Sequence, residues 1–261
     1  MTSLRLLLVH LRLGILNELQ YRTNLLVQLV GSLVGLLTAL FGLGIVFSKT
    51  DNLAGWRPDE LLAIVGVYFL VGGLAQTVVQ PSLSRFMEEI RLGTFDFTLT
   101  KPVDAQFLAS IKKIEVWKLI DVVIGVGLIV IALARLGEAV GVREAAMFGL
   151  LLAAGMAIVY SFLVILATFA FWFVKLENIF NIFQSMYEAG RWPISIYPGW
   201  LRAALTFVVP IGFAVTVPAS GLVGRLAPSS VALAVGLAVA MPLAARWFWR
   251  FGIRHYAGAS A

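Results

Sequence analysis

Charged side chains inside or beside long apolar runs are the residues of this 261-residue chain best suited to do chemistry. Asp121, Glu177, Glu188 and Arg191 lie in such places. A charge in hydrocarbon costs several kcal/mol, so these residues are the default candidates for function. Glu188 and Arg191 stand three residues apart and predict either a structural pair or the polar wall of a transport path. Asp121 lies near Lys118 and predicts an ion pair at the membrane surface.

Motifs that would give the chain catalytic chemistry of its own are missing from the sequence. There is no phosphate-binding G-x-x-x-x-G-K-[ST] loop, no G-x-S-x-G elbow and no H-E-x-x-H pair. The two histidines, His10 and His255, fall outside the predicted spans, and without cysteine no thiolate metal site can form. We therefore expect no enzymatic activity, no cofactor and no metal in this chain. Any ATP hydrolysis is expected to be carried out by a separate protein.

The composition is that of an integral membrane protein. Apolar residues make up 60% of the chain and charged residues 13%, and the mean hydropathy is +0.93. A helix needs about 20 apolar residues to cross the hydrocarbon layer. The net charge of +6 is explained by basic residues facing anionic lipids at the inner edges of the spans, so no nucleic acid is expected as a partner.

The elements that position these residues are predicted to form one all-α transmembrane domain over 1–261. It consists of an amphipathic segment, best explained as an interfacial helix although a polar lead-in is the alternative, and six spans. The predicted interfacial helix is 1–23, and the predicted spans are 24–47, 60–80, 119–134, 145–174, 177–196 and 230–248.

The fifth span has two candidates. The segment 177–196 is polar for a span, whereas 203–223 is more apolar but contains Pro210 and Pro218. Irregular backbone at membrane depth survives only where protein or a wet cavity covers it. We therefore assign 177–196 as the fifth span and 198–226 as a re-entrant helical pair; the reverse assignment gives the same six crossings.

The distribution of basic residues predicts the orientation. With six crossings, most of the 20 lysines and arginines fall on the side of the two termini and of the long loop between spans 2 and 3. Positive charge marks the cytoplasmic side. We expect a multi-pass protein of the cell inner (plasma) membrane with both termini in the cytoplasm.

A polar insert at 81–118 separates spans 2 and 3 and predicts a docking surface for a soluble partner, with a solvated loop as the alternative. Ser84 and the acidic residues after it resemble a helix start, and Gly93 is a suitable stop. Phe95, Phe97 and Leu99 alternate with polar residues and predict an apolar ridge. Pro102 then interrupts the segment, and a second short helix is predicted from Ala105 to Lys113.

Three stretches resemble the permease subunit of ABC-2 type exporters. They are I-R-x-G-T-x-D-F-x-L-x-K-P at Ile90 to Pro102, R-W-P-I-S-I-Y-P-G-W-L-R at Arg191 to Arg202, and V-P-I-G-F at Val209 to Phe213. The resemblance covers most of the chain. It implies an interfacial amino-terminal helix, six spans, a cytoplasmic coupling helix between spans 2 and 3, and a re-entrant pair before span 6.

The resemblance also implies partners and roles. The partners are a dimer of ABC ATPase subunits, which bind ATP and Mg, and a second permease, either identical or related; membrane lipids surround the complex. The implied ATPase-coupling residues are Ser84, Met87, Glu88, Glu89, Arg91, Gly93, Phe95, Phe97 and Pro102. The outer gate or re-entrant role falls by resemblance on the segment with Pro198, Pro210 and Pro218. The polar residues of the predicted fifth span, Asn181, Gln184, Glu188 and Arg191, are predicted from the sequence itself to line the translocation path.

The substrate stays open at this point. Members of the family export drugs, lipid-linked glycans, polymers or peptides, and the stretch Ala-Val-Thr-Val-Pro at 214–218 carries no charged or aromatic marker. A secondary transporter or channel, which would need inverted repeats and several ionisable residues at mid-membrane, is the alternative. A non-transporting scaffold subunit or a membrane enzyme is a third class.

Overall fold

The computed structural model describes residues 22–137, 141–173, 176 and 178–256. The predicted interfacial helix at 1–23 therefore lies almost wholly outside the described residues, and Glu177 lies outside them as well. Helices make up this part of the chain, with no β-strand among the described residues beyond an isolated bridge between Leu53 and Trp56. The all-helical class expected from the composition is confirmed.

Five of the described helices are long and apolar enough to cross a membrane, and each overlaps one predicted span. The first, α1, runs over Arg22–Phe47. The other four are α2 (Pro58–Arg91), α5 (Val116–Leu136), α6 (Val142–Phe171) and α10 (Pro228–Arg254).

Helix α2 continues far beyond the membrane thickness. Its 34 residues span about 50 Å at 1.5 Å per residue, against about 30 Å of hydrocarbon. The expectation that a new helix begins at Ser84 is therefore wrong, since Ser84 lies inside α2. Pro81 does not break the helix because the carbonyl of Thr77, which lacks the usual N–H from Pro81, accepts one from Glu115 at 2.8 Å. The helix ends at Arg91, and Gly93 has the left-handed φ of +69°.

The polar insert forms two short helices, α3 (Asp96–Leu99) and α4 (Ala105–Ile111). The expectation of an apolar ridge is wrong for Phe95, which is fully buried, whereas Phe97 is 73% exposed. The physical reason is the helical turn at α3, which rotates successive side chains by about 100° instead of the 180° of an extended strand.

Close helix packing occurs between α2 and α5. A Cβ atom on Gly125 would lie 2.5 Å from the backbone nitrogen of Leu70, and one on Gly66 would lie 2.7 Å from the side chain of Ile129. The two backbones therefore touch, as small residues allow in membrane helices. At Gly31 of α1, by contrast, no described atom comes within 4 Å of the corresponding position.

The segment before α10 is short and bent. Helix α7 covers Ile179–Tyr187 and continues as the 3₁₀ turn Glu188–Arg191. It is followed by α8 (Gly199–Val208) and α9 (Gly212–Leu222), whose axes meet at 79°. Pro210 lies at this bend. The second predicted break, at Pro218, is wrong, since α9 runs through this residue from its π-helical part Gly212–Thr216 into its α-helical part Val217–Leu222.

The two ends of the α8–α9 pair contact the same end of α2. Ser195, just before α8, accepts a hydrogen bond of 3.2 Å from the indole N–H of Trp56. Arg225, just after α9, lies 5.2 Å over the Trp56 ring and pairs with Glu60. At the opposite end of the bundle, Phe95 packs in an aromatic cluster formed by the ends of α2, α6 and α10.

Candidate translocation cavity and coupling surface

A polar cavity of about 360 Å³ lies between α1, α2, α5 and α7. Two residues predicted for the transport path, Gln184 and Arg191, line it. Asp121, a charged residue predicted from the sequence as a candidate for function, also lines this cavity. The other polar or aromatic lining residues are Gln28, Ser32, Tyr68, Phe69, Gln76, Lys118 and Tyr187.

Asp121 is held at the wall by the packing of α5 on α2. It stands in the first turn of the α-helical part of α5, which begins at Leu119 after a 3₁₀ turn and whose dipole favours a carboxylate. Its Cβ lies 3.0 Å from the position a Cβ on Gly73 would occupy. The residue is 8% exposed, and its Oδ1 atom is buried without a hydrogen-bond partner among the described residues. The predicted ion pair between Asp121 and Lys118 is not found among the described residues.

Arg191 reaches the cavity from the 3₁₀ turn after α7. Its guanidinium lies 5.2 Å over the ring of Tyr68, and its Nη2 atom is 4.0 Å from Glu188. The predicted Glu188–Arg191 pair thus exists, but it is long, and the 57% exposed Glu188 side chain does not line the cavity. The Nε atom of Arg191 is buried without a partner in the described chain.

Two tyrosines fix the wall beneath Arg191. The rings of Tyr68 and Tyr187 stack with centroids 4.8 Å apart, and the Tyr187 hydroxyl donates a 2.9 Å hydrogen bond to the Tyr68 carbonyl. Such a stacked and hydrogen-bonded pair limits side-chain movement. These two contacts therefore hold the cavity wall in place beneath Arg191.

A second cavity, of about 260 Å³, continues the polar lining along α2. Asn181, another residue predicted for the path, lines this cavity with Gln184. Because Gln76, Lys118 and Gln184 line both cavities, the two are adjacent. The three path prolines lie elsewhere: Pro198 is exposed, and Pro210 and Pro218 are buried.

The residues predicted for coupling lie at the protruding end of α2 and in the turn after it. Ser84, Met87, Glu88 and Arg91 line a groove of about 230 Å³ together with residues just after α6. Gly93 forms the turn, and Pro102 is exposed between α3 and α4. We call the exposed apolar residues of this region the coupling surface; they are Leu92, Phe97 and Leu99.

Phe95 anchors the coupling surface to the bundle. Its ring lies 5.1 Å from Phe86 of α2, 6.0 Å from Phe171 of α6 and 6.4 Å from Trp249 of α10. Aromatic pairs in this range and edge-on geometry are stabilising beyond their buried area. The predicted coupling residue Phe95 is therefore an internal contact between three long helices and the coupling surface.

Ion pairs hold the same region from two sides. Glu89, another predicted coupling residue, pairs with Lys112, which also contacts Thr98 at 2.5 Å. Burial lowers the pKa of Lys112, although the Glu89 carboxylate opposes that shift.

The second ion pair joins Asp104 to Arg246 of α10. Burial acts to raise the pKa of Asp104, but hydrogen bonds from Arg246 and from the backbone N–H of Phe107 outweigh it, so this pKa is lowered.

Sequence reasoning missed most of the neutral cavity lining. Gln28 and Gln76 carried a usable signal, since each is a polar residue within an apolar run. Tyr68 and Tyr187 carried none, because an aromatic residue in a span is usually lipid-facing or packed in the core.

The long apolar helices define a multi-pass membrane protein. The chain matches the family model described as "ABC-2 family transporter protein" over residues 33–260, and it therefore belongs to that family. Members are ABC-2 type permeases, membrane subunits that are not themselves catalytic and normally work with an ABC ATPase partner. Comparisons with curated proteins and with solved structures give no match.

Proposed function

We propose that this chain is the membrane subunit of an ATP-driven exporter that moves a drug, lipid, glycan or peptide outward. A separate pair of ABC ATPase subunits binds ATP and Mg²⁺, and a second permease, identical or related, completes the complex. Besides family membership, the observation that carries the proposal is the coupling surface at the end of α2, a helix whose length of about 50 Å exceeds the hydrocarbon thickness.

The physical argument is the burial of exposed apolar groups. Leu92, Phe97 and Leu99 are exposed just after the end of α2 and in α3. Removing such side chains from water contributes ~1.5 to 3 kcal/mol for each one fully buried. A groove of the ATPase that covers them forms a joint stable enough for repeated cycles. Phe95, beneath this surface, passes the movement to α2, α6 and α10.

The proposed topology has six crossings, with 177–196 as the fifth and 198–226 as a re-entrant pair that contains the Pro210 bend. Two contacts support it. Ser195 before the bent pair and Arg225 after it both touch Trp56, so the pair returns to the end of the bundle where it began. The chain from Phe171 to Ser195 then leads from one end of the bundle to the other. Both termini are proposed to be cytoplasmic, in the inner membrane.

The two adjacent cavities are proposed to form part of the export path. Gln184 and Arg191 line the larger one, and Asn181 lines the smaller. Glu188 takes part through its contact with Arg191. The outer gate is proposed at the Pro210 bend, with Pro198 and Pro218 at the flanks of the re-entrant pair.

The proposal is tested by co-purification of the full-length chain with the ABC ATPase expressed beside it. Phe97→Asp places a charge in the coupling surface and should abolish or strongly weaken co-purification, with the permease still inserted at normal levels. Val142→Asp is the matched control, since Val142 is also an exposed apolar residue but lies at the opposite end of the bundle. Equal retention of the ATPase by both variants would refute the docking role.

A secondary transporter or channel remains the second candidate because the buried carboxylate of Asp121 faces a polar cavity, as ion-coupling residues do. The two candidates differ in their energy source. Transport that requires the ATPase and ATP supports the exporter, whereas transport driven by an ion gradient without the ATPase supports the alternative.

A further inference from the structure

Two side chains of opposite charge, Asp121 and Arg191, line the larger cavity. The Oδ1 atom of Asp121 is a buried acceptor without a donor, and the Nε–H of Arg191 is a buried donor without an acceptor, in the part of the chain that the structure describes. An unpaired buried polar group is costly, and more so when it is charged. The two groups do not pair with each other, although both line the same cavity. A ligand that pairs with both side chains must carry a donor and an acceptor.

The lining between these two residues suits a polar group of limited size. Gln28, Gln76 and Gln184 supply neutral amides that can donate or accept hydrogen bonds. Lys118 adds a second cation to the lining. The volume of about 360 Å³ falls in the range of small-molecule sites.

Helix α1 lines the cavity with apolar and small residues beside the polar Gln28 and Ser32. Val27, Gly31 and Gly35 line it, and at Gly31 the space is free of described atoms within 4 Å. Val27, Val30 and Val34 expose their side chains on the same helix. An alkyl chain attached to the polar group can therefore lie along α1 while the polar group occupies the cavity.

We propose that this cavity binds a zwitterion, with an ammonium group on Asp121 and an acid oxygen on Arg191. This inference rests on the proposed function, because it names the substrate class of that exporter. The zwitterion is either the headgroup of a lipid or a free molecule of the same chemistry.

The test uses the full-length chain in maltoside micelles and three amphiphiles of equal chain length. Lysophosphatidylethanolamine is zwitterionic, lysophosphatidylglycerol is anionic and an alkyltrimethylammonium is cationic. Binding of chain-labelled fluorescent lysophosphatidylethanolamine is followed by anisotropy, and the unlabelled amphiphiles compete with it. The zwitterion should bind the wild type most tightly.

Two variants separate the two charges of the ligand. Asp121→Asn should weaken binding of the zwitterion and of the cation by about tenfold or more, as expected for a lost charged hydrogen bond, and leave the anion unchanged. Arg191→Gln should weaken the zwitterion and the anion and leave the cation unchanged. A variant that only disturbed the fold would affect all three amphiphiles alike.

Matched controls come from a remote pair of the same residue types. Asp59, also in the first turn of a helix, lies 3.8 Å from Arg135 and away from the cavity. Asp59→Asn and Arg135→Gln should bind all three amphiphiles as the wild type does. Displacement by soluble phosphoethanolamine identifies a free zwitterion as the ligand, and its failure to displace identifies the lipid form.

The inference is overturned if the wild type binds the three amphiphiles equally, or if both cavity variants lose all three to the same extent. Co-purification of the ATPase is measured on the same preparations. If zwitterion selectivity is absent while the ATPase still co-purifies, the zwitterion inference is rejected and the exporter proposal stands. Selective binding without any ATPase association rejects the exporter instead.

Discussion

Arg225 and Glu60, 165 residues apart in the chain, form an ion pair that ties the end of the bent α8–α9 pair to the start of α2. The Nη2–Oε2 distance is 2.9 Å, and the Glu60 side chain is 3% exposed. Arg57 contacts the same carboxylate at 3.3 Å but is largely exposed. Arg225 is therefore the principal partner of a buried charge, and the pair fixes the bent segment at one end of the bundle.

The first prediction follows from this difference between the two arginines. Arg225→Gln should lower the stability of the protein by roughly 1–3 kcal/mol, because it leaves Glu60 with a weaker partner. Arg57→Gln should cost less, since exposed ion pairs contribute little. The measurement is the apparent Tm of the purified permease in detergent. An equal loss in both variants would contradict the dominant role of Arg225.

The second prediction concerns the contact between α2 and α5. Gly125→Ala should destabilise the protein by about 1–3 kcal/mol, because the added Cβ would lie 2.5 Å from the Leu70 nitrogen. Gly127→Ala, two residues further in the same helix, meets no described atom within 4 Å and should be neutral or slightly stabilising. Thermal unfolding of both variants checks the difference. Similar values for both would show that the helices are further apart in the membrane.

The third prediction addresses the re-entrant pair. The lack of native cysteine makes single-cysteine labelling clean. Trp200→Cys, at the start of α8, and Ser229→Cys, after the end of α9, are both at exposed positions and should react with an impermeant maleimide on intact cells. Lys113→Cys should react only after lysis. Labelling of the first two from opposite sides would make the bent pair a single broken span.

The fourth prediction is a pH dependence from Asp104. Its folded pKa is lowered, so the stability that its pair with Arg246 contributes is fully present above the unfolded value of about 3.9 and is lost as the pH falls through the folded pKa. The difference in apparent Tm between wild type and Asp104→Asn should therefore be constant near neutral pH and shrink only in strong acid. A difference that grows on acidification would contradict this assignment.

Local patterns in the sequence were sufficient for the class of fold and for several helix ends. Apolar runs predict the long helices, and Gly93 predicts the end of α2. The continuity of α2 through Pro81 was not predictable, because it depends on the Glu115 N–H, which is distant in sequence. The burial of Phe95 likewise depends on aromatic residues from α6 and α10.

The residues of the candidate cavity were likewise only partly predictable from the sequence. Gln184 and Arg191 were found because polar residues in a span are conspicuous. The unpaired state of Asp121 could not be predicted, since Lys118 stands three residues before it and favours an ion pair by spacing alone. The tight packing at Gly73, which places Asp121 against the cavity wall, arises only when α2 and α5 meet.

The most direct test of the central claim is site-specific photo-crosslinking in cells that express the permease with its ABC ATPase. Phe97 in the coupling surface and Val142 at the opposite end are replaced, one at a time, by p-benzoylphenylalanine. The account predicts an ultraviolet-dependent crosslink to the ATPase from position 97 and none from position 142. A crosslink from position 142 alone, or none from position 97 while the ATPase co-purifies, would contradict it.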